Sequence, residues 1–401
     1  MKISTLAEKK NLKGRRVLVR VDFNVPLKNG KIKEAYKIEK SLSTVEFLCK
    51  AGAKIILISH LGRPTGVDKK LSLKPVAVAL GKMLEKKIDF FAVSDKILGD
   101  KKQLENLQKK IMALKNGDVA LLENIRFIKG EEKNDPKIAR ALSSLGELFV
   151  LDGFAVAHRD AASVSGVAKY LPACAGLLLE EEIKGLAKLI ERPKKPFVVV
   201  LGGAKMETKV PLIKKFIPKA SQILIGGGIF NTCLWAKGVK VGRSIVDKNY
   251  KKIALSFWKN KKIIMPVDLV VGGEQGEQAK VVALDSKFKI QNLKNGIYDI
   301  GPKTVSLFAK YIKKANTLVW NGSMGMFEVP PYHWGSNAVA RLFASRARGK
   351  AFGVTGGGET VEVVKKLKLM NDIDLVSTGG GAMLEYLSGN KLPGIMVVLK
   401  K

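Results

Sequence analysis

The sequence predicts an α/β protein of two units, each built on a mainly parallel sheet. Three observations predict this. At 401 residues the chain is too long for one ordinary core. Short β-branched apolar runs without alternation recur between longer amphipathic stretches, the pattern of strands buried on both faces by crossover helices. Several runs end in glycine, and two glycine triplets near the C-terminus lie between an apolar run and a helical pattern. These are Gly356-Gly357-Gly358-Glu359-Thr360 and Thr378-Gly379-Gly380-Gly381-Ala382.

In chain order, the first-half strands are expected at Val17–Val21, Ile55–Ile58, Val119–Leu122 and Leu148–Leu151. A charged helical pattern, Glu180 to Leu189, ends at Arg192-Pro193, and the stretch up to Pro196 marks the boundary. Second-half strands are expected at Phe197–Leu201, Ile223–Ile225, Ile263–Val271, Thr317–Trp320, Phe352–Val354 and Leu375–Ser377, with helical patterns from Thr360 to Leu367 and Met383 to Leu387.

Composition narrows the function. Lys plus Arg number 71 against 36 Asp plus Glu, a net charge of +35. Such a chain attracts polyanions at low salt. The lysines are dispersed over helical surfaces without interleaved aromatics, which predicts at most non-specific polyanion binding. No run reaches the ~18 apolar residues of a membrane span, and the first ten residues have no apolar core, so a cytoplasmic protein without a membrane partner is expected. Three cysteines without metal-type spacing, Cys49, Cys174 and Cys233, are expected as free thiols. His158-Arg159-Asp160 is not a protein-kinase catalytic loop, because Ser165 stands where that motif needs Asn, and no P-loop is present.

Ligands of open α/β sheets bind beyond the carboxyl ends of the strands. In the first half those positions are Asp22-Phe23-Asn24, His60-Leu61-Gly62-Arg63, Glu123 to Arg126 and Asp152 to Arg159. Three arginines and a histidine there suit a small, multiply anionic ligand, since guanidinium forks pair bidentately with carboxylate and phosphate. In the second half they are Gly202-Gly203-Ala204-Lys205, Gly226-Gly227-Gly228, Asn321-Gly322 and the two triplets. Glycine turns at helix starts present free N–H groups and a positive dipole end, which suits a polyphosphate.

The same residues resemble the phosphoglycerate kinase family. The segments are Arg20-Val21-Asp22-Phe23-Asn24-Val25-Pro26, Ser59 to Pro64, Ser72 to Ala77, Leu121 to Phe127, Leu201 to Lys205, Ile225 to Gly228, Asp299 to Thr304, Val319 to Glu328, the triplets and Leu392-Pro393-Gly394-Ile395. They follow family order along essentially the whole chain. The resemblance implies two Rossmann-like domains facing a central cleft. Residues 1–180 would bind 3-phosphoglycerate, 181–193 would form an interdomain helix and 194–377 would bind nucleotide. Residues 378–401 would return to the first domain. It implies reversible phosphoryl transfer between 1,3-bisphosphoglycerate and ADP by a monomer that closes its domains, with Mg2+ bound alongside ADP or ATP.

By matching positions, the resemblance assigns Asp22, Phe23, Asn24, Lys37, His60, Leu61, Gly62, Arg63, Arg126 and Arg159 to the glycerate. It assigns Gly203, Lys205, Lys209, Gly227, Asn321, Glu328, Gly356, Gly357, Gly358, Glu359 and Thr360 to the nucleotide, with Glu359 towards the metal. Lys37, Lys205, Gly357 and Gly380 are the implied catalytic positions. Departures from the family pattern are Tyr36-Lys37-Ile38 for Thr-Arg-Ile, Glu359 for Asp, Ala161 and Leu375 for histidines, and Ser323 for Pro. Lys37 and the +35 charge also fit a catalytically weak relative that mainly binds polyanions such as RNA.

Overall fold

The computed structural model describes residues 2–285 and 294–400. The chain forms two compact units, Met1–Lys184 with Asn390–Lys401, and Gly185–Gly389. The expected charged helix spans Leu177–Ile190, and the division falls within it.

In the first unit the strands are β1 (Arg16–Arg20), β2 (Leu27–Lys28), β3 (Lys31–Ile32), β4 (Lys54–Ile58), β5 (Ile88–Phe91), β6 (Val119–Leu122), β7 (Leu148–Leu151) and β8 (Ala173–Ala175). Six make one parallel sheet in the order β5-β6-β4-β1-β7-β8, and β2-β3 is a separate antiparallel ribbon. The four expected strands are its consecutive inner members. All residues of β6 and β7 are buried, as crossover helices on both faces require. The sequence reading missed β5 and β8. β5 is a half-buried edge carrying Asp89, and β8 is a short Ala-Cys-Ala segment, so neither shows a β-branched apolar run.

The second unit contains β9 (Phe197–Leu201), β10 (Gln222–Ile225), β11 (Ile263–Ile264), β12 (Asp268–Gly272), β13 (Lys280–Ala283), β14 (Gly296–Ile300), β15 (Thr317–Asn321), β16 (Phe352–Gly356) and β17 (Leu375–Ser377). The parallel sheet runs β11-β10-β9-β15-β16-β17. The expected single strand Ile263–Val271 is instead two strands. Pro266 lacks the N–H a central strand must donate, and the chain leaves one sheet there for another. β12 is the middle of an antiparallel sheet, β13-β12-β14, with a register shift at Val270/Val271. The three cysteines are free.

Of the expected returning stretch 378–401, residues 390–401 belong to the first unit. Ser4 N donates to Val398 O at 2.8 Å, and Gly394 N to Ala157 O at 2.8 Å. Residues 378–389 belong to the second unit. There the helix Gly381–Ser388 buries Met383 and Leu387, and Met383 covers Gly356.

Glycine lets the turns after β9, β10 and β15 interlock. Gly203 N donates to Ser323 O at 2.7 Å, Gly227 N to Met324 O at 3.0 Å, and Gly202 N to Asn321 O at 3.0 Å. A Cβ on Gly202 would run into the Ser323 carbonyl, which is backbone and cannot swing aside. Overpacking of this kind costs about 1–3 kcal/mol. Gly202→Ala is therefore expected to lower the thermal unfolding midpoint by roughly 3–10 °C. Gly66→Ala, where an added Cβ meets nothing within 4 Å, should move it by less than about 2 °C. Circular dichroism melts of the two variants check this. Equal midpoints would show that the turns are not interlocked.

Candidate functional site

In the first unit, β6, β4, β1 and β7 lie side by side, so the residues just after them share one sheet edge. Asp22, buried, follows β1. It receives Lys37 Nζ at 2.6 Å from the first turn of the helix Tyr36–Lys50, and Asn24 N at 3.1 Å. Burial alone would raise the Asp22 carboxyl. The Lys37 charge and the hydrogen bonds from Lys37 and Asn24 outweigh it, so its pKa lies below the ordinary value. Phe23 is buried, and its N–H donates to Ser59 Oγ at 2.8 Å. Asn24 Oδ1 accepts from Gly62 N at 2.9 Å, which ties the β1 loop to the β4 loop. Leu61 is buried and Gly62 adopts φ +64°; a side chain there would press on Leu71.

His60 follows β4. Burial and the neighbouring Arg20 charge hold its imidazole well below the usual pKa, so it is neutral near pH 7. Arg20 Nη2 lies 3.3 Å from His60 Nδ1 and carries only protons, so Nδ1 accepts and Nε2 bears the hydrogen. The 3.8 Å approach of His60 to Asp22 is then not an ion pair. The expected cluster of three arginines and a histidine thus holds a donor, not a charge, at His60. Arg20 is itself fixed by Ser163 Oγ at 2.8 Å. That hydroxyl donates to Glu131 at 2.5 Å.

Arg126 and Arg159 come together as expected. Arg126 Nη1 donates to Gly62 O, and Arg126 Nη2 and Arg159 Nη1 both lie 3.1 Å from one oxygen, Glu132 Oε1. Arg63 is exposed and close enough to depress the Arg126 pKa together with burial and Arg159. Sequence reasoning missed Glu131, Glu132 and Ser163. The acidic pair in Gly130-Glu131-Glu132-Lys133 was the one available signal.

In the second unit, β10, β9, β15, β16 and β17 are adjacent and all end in or beside glycine turns. Four helices start there: Met206–Phe216, Gly227–Ala236, Gly358–Lys366 and Gly381–Ser388. Each begins on a residue whose side chain makes no capping hydrogen bond. By contrast, helix Pro302–Ile312 has Lys303 N and Thr304 N bound by Asp268 at 2.9 and 2.7 Å. Gly357 at φ +95° and Gly380 at φ +51° sit immediately before their helices, in conformations that suit glycine.

A cavity of about 330 Å³ gathers Gly203, Gly227, Glu328 and Glu359, with the apolar Leu269 and Met324 on its walls. Beside it, Lys209 Nζ donates to Asn321 Oδ1, Asn321 Nδ2 donates to Gly356 O at 2.6 Å, and Gly322 N donates to Thr360 Oγ1 at 2.6 Å. Glu359 accepts from Ser323 Oγ at 3.0 Å, so this serine orients the carboxylate. Burial lowers Lys209 to about 8, against the attraction of Glu359. Lys205 is exposed, just ahead of helix Met206–Phe216, and does not line the cavity.

Comparison with known proteins places this geometry. The family model of phosphoglycerate kinase matches residues 7–390. The phosphoglycerate kinase of Dictyoglomus turgidum is 43% identical over 397 residues, 98% of this chain and 97% of that one. That of Borrelia garinii is 42% identical over 406 residues and all of both chains. The solved structure of phosphoglycerate kinase from Coxiella burnetii superimposes with a TM-score of 0.84 at 37% identity, covering 99% of this chain and 98% of that one. That from Pyrococcus horikoshii gives 0.85 at 31% identity, with the same coverage. With parallel-sheet architecture, strand-end residues and full-length similarity in agreement, the chain belongs to the phosphoglycerate kinase family.

Proposed function

We propose that the chain runs the family reaction with the first unit holding the glycerate and the second the nucleotide. The acyl phosphate of 1,3-bisphosphoglycerate passes reversibly to ADP, giving 3-phosphoglycerate and ATP. One observation carries this division of labour. Arginine forks crowd the strand ends of the first unit, whereas helix starts without side-chain caps, three of the four behind glycine, crowd those of the second.

Asp22 and Asn24 would take the hydroxyl side of the glycerate. Arg63, Arg126 and Arg159 would take its anionic groups, with His60 donating through Nε2. The turn Gly356–Thr360, Gly203, Gly227, Asn321 and Lys209 would hold the nucleotide, with Glu328 near the ribose. Towards ATP, the attacking group is a carboxylate of 3-phosphoglycerate, already ionised, so no general base is required. Catalysis is then positioning and charge neutralisation. The Gly357 and Gly380 N–H groups, Lys37 and Lys205 would meet the charge spread over the phosphoryl oxygens. The two ligands are assigned to different units, so in-line transfer calls for closure of one upon the other in the cycle.

Magnesium suits this site. Among the described residues no cluster of three or more His, Cys, Asp or Glu side chains is set to hold a metal. A single carboxylate such as Glu359 fits an ion that keeps waters and substrate phosphates as its other ligands. Bound there, magnesium would neutralise phosphate charge. No helix among the described residues is long and apolar enough to cross a membrane. We read the protein as a cytoplasmic monomer with non-specific polyanion binding at most. Measurement of 3-phosphoglycerate-dependent ATP consumption tests the function directly, and a folded protein that turns over in neither direction refutes it.

Two further expectations follow from the geometry. Lys37→Ala should cut kcat by about 100-fold, the usual effect of losing one transition-state donor, with KM for 3-phosphoglycerate within about threefold. Lys37→Arg should retain or raise kcat. If Lys37 serves only to neutralise Asp22, KM rises instead and kcat holds.

The second concerns Lys209. Its charged form prevails below about pH 8 and fades above it. Nucleotide affinity should therefore weaken as pH rises through about 8, and Lys209→Arg, with a charge that persists, should flatten the profile. A parent profile flat from pH 7 to 9 would remove Lys209 from the phosphate site.

A further inference from the structure

Two guanidiniums that would bind a substrate phosphate are already bridged by a carboxylate of the same chain. Glu132 Oε1 lies 3.1 Å from Arg126 Nη2 and 3.1 Å from Arg159 Nη1. The side chains differ sharply in exposure: Arg126 is 4% exposed, Arg159 32% and Glu132 59%. Arg126 is therefore built in, Arg159 is half-buried beside it, and the glutamate lies over them from the solvent side. Arg126 is also held by the Gly62 carbonyl, whereas Arg159 Nε is buried without a partner among the described residues. The backbone carrying Glu132 is pinned. Glu131 is buried and accepts from Ser163 N at 3.0 Å and Ser163 Oγ at 2.5 Å, and the flanking Gly130 and Asn134 adopt φ +89° and +54°.

We propose that Glu132 is a tethered competitor for the substrate phosphate. It keeps the two forks aligned while the site is empty, and it yields its place when the ligand arrives. This rests on the reading that Arg126 and Arg159 bind the glycerate ligand. A phosphate dianion with three oxygens can engage both forks and the idle Arg159 Nε, whereas Glu132 offers them one oxygen. An exposed glutamate leaves at small cost, since exposed ion pairs are weak. The pinned backbone keeps its carboxylate within reach when the ligand departs. Affinity is thereby lowered for every anion, and weakly charged anions are excluded most.

Glu132→Gln in the full-length enzyme tests this. KM for 3-phosphoglycerate should fall about three- to tenfold, the effect of removing one solvent-exposed carboxylate that opposes binding through two charge pairs. Competitive inhibition by inorganic sulfate should strengthen by a similar factor, and KM for ATP should stay within about twofold. Glu105→Gln, an exposed control elsewhere on the first unit, should change neither. Glu132→Asp, which keeps the charge but shortens its reach, should fall between parent and Gln.

A folded Glu132→Gln protein with KM for 3-phosphoglycerate unchanged or raised overturns the proposal, because Glu132 would then only orient the arginines. An equal fall in the Glu105 control overturns it too, as a general charge effect. Arg159→Gln separates the two levels of inference. It should raise that KM at least about tenfold, as loss of a charge-assisted contact does. If it does not, the reading of the arginine site fails and the competitor falls with it. If it does while Glu132→Gln is silent, only the competitor fails.

Discussion

Everything at the two sites depends on one constraint: parallel strands buried on both faces must end together. Hydrogen-bonded parallel neighbours run in the same direction, so their carboxyl ends share an edge, and the covering helices start from that edge. The backbone N–H groups of those helix starts have no partner within the helix. In the second unit four starts lack a side-chain cap, three of them behind glycine and one behind Lys205, and Asp268 caps a fifth one elsewhere. The same edge in the first unit carries side-chain donors. One architecture thus yields two donor-lined edges of different character, which we propose as two anion sites, through what stands just past each strand.

Such sites hold charge that must be compensated before any ligand arrives. The chain supplies its own partners: the carboxylates of Asp22 for Lys37 and of Glu132 for Arg126 and Arg159, and for Lys209 the neutral Asn321 side-chain oxygen with the attraction of Glu359. An unpaired buried charge is costly, and an exposed pair costs little to break. Compensation therefore follows depth. The buried Arg20 is locked to Ser163, and the exposed Glu132 is only laid across its partners. Ligand affinity is then a difference between external and internal partners.

This explains what was legible in the sequence. β9 and β15 could be read because all five residues of each are buried, which leaves an uninterrupted apolar run in β9 and an apolar centre, Leu318-Val319-Trp320, in β15. The strand-end residues followed from that reading, since parallel strands point their carboxyl ends to one edge. β13, largely exposed, left no such trace, and Pro266 hid a change of sheet inside one apolar run. His60 looked cationic in isolation. Its neutrality comes first from burial and then from Arg20, forty residues away at the end of another strand. Glu132 was unreadable for the same reason. Its role is set by two guanidiniums reached through tertiary folding, and a surface glutamate has no local mark that says so.

Lys37, where the family resemblance implies an arginine, shows what one contact can do for a lysine in such a place. A guanidinium is a rigid fork whose charge is already placed, whereas an ammonium on four methylenes must first be ordered. The 2.6 Å bond to Asp22, on a side chain 29% exposed, does part of that ordering. The same bond takes one of the ammonium's three protons and opposes its charge with a buried carboxylate. The field reaching a phosphoryl group is weaker for it. Asp22 therefore gives Lys37 a fixed position while it weakens Lys37's pull on the phosphoryl group. The balance shifts only when something else binds Asp22. In the proposed complex that partner is the glycerate hydroxyl, so substrate binding would loosen the pair just when the ammonium is needed elsewhere. Lysine at this position is then workable because its counter-ion is also a substrate ligand.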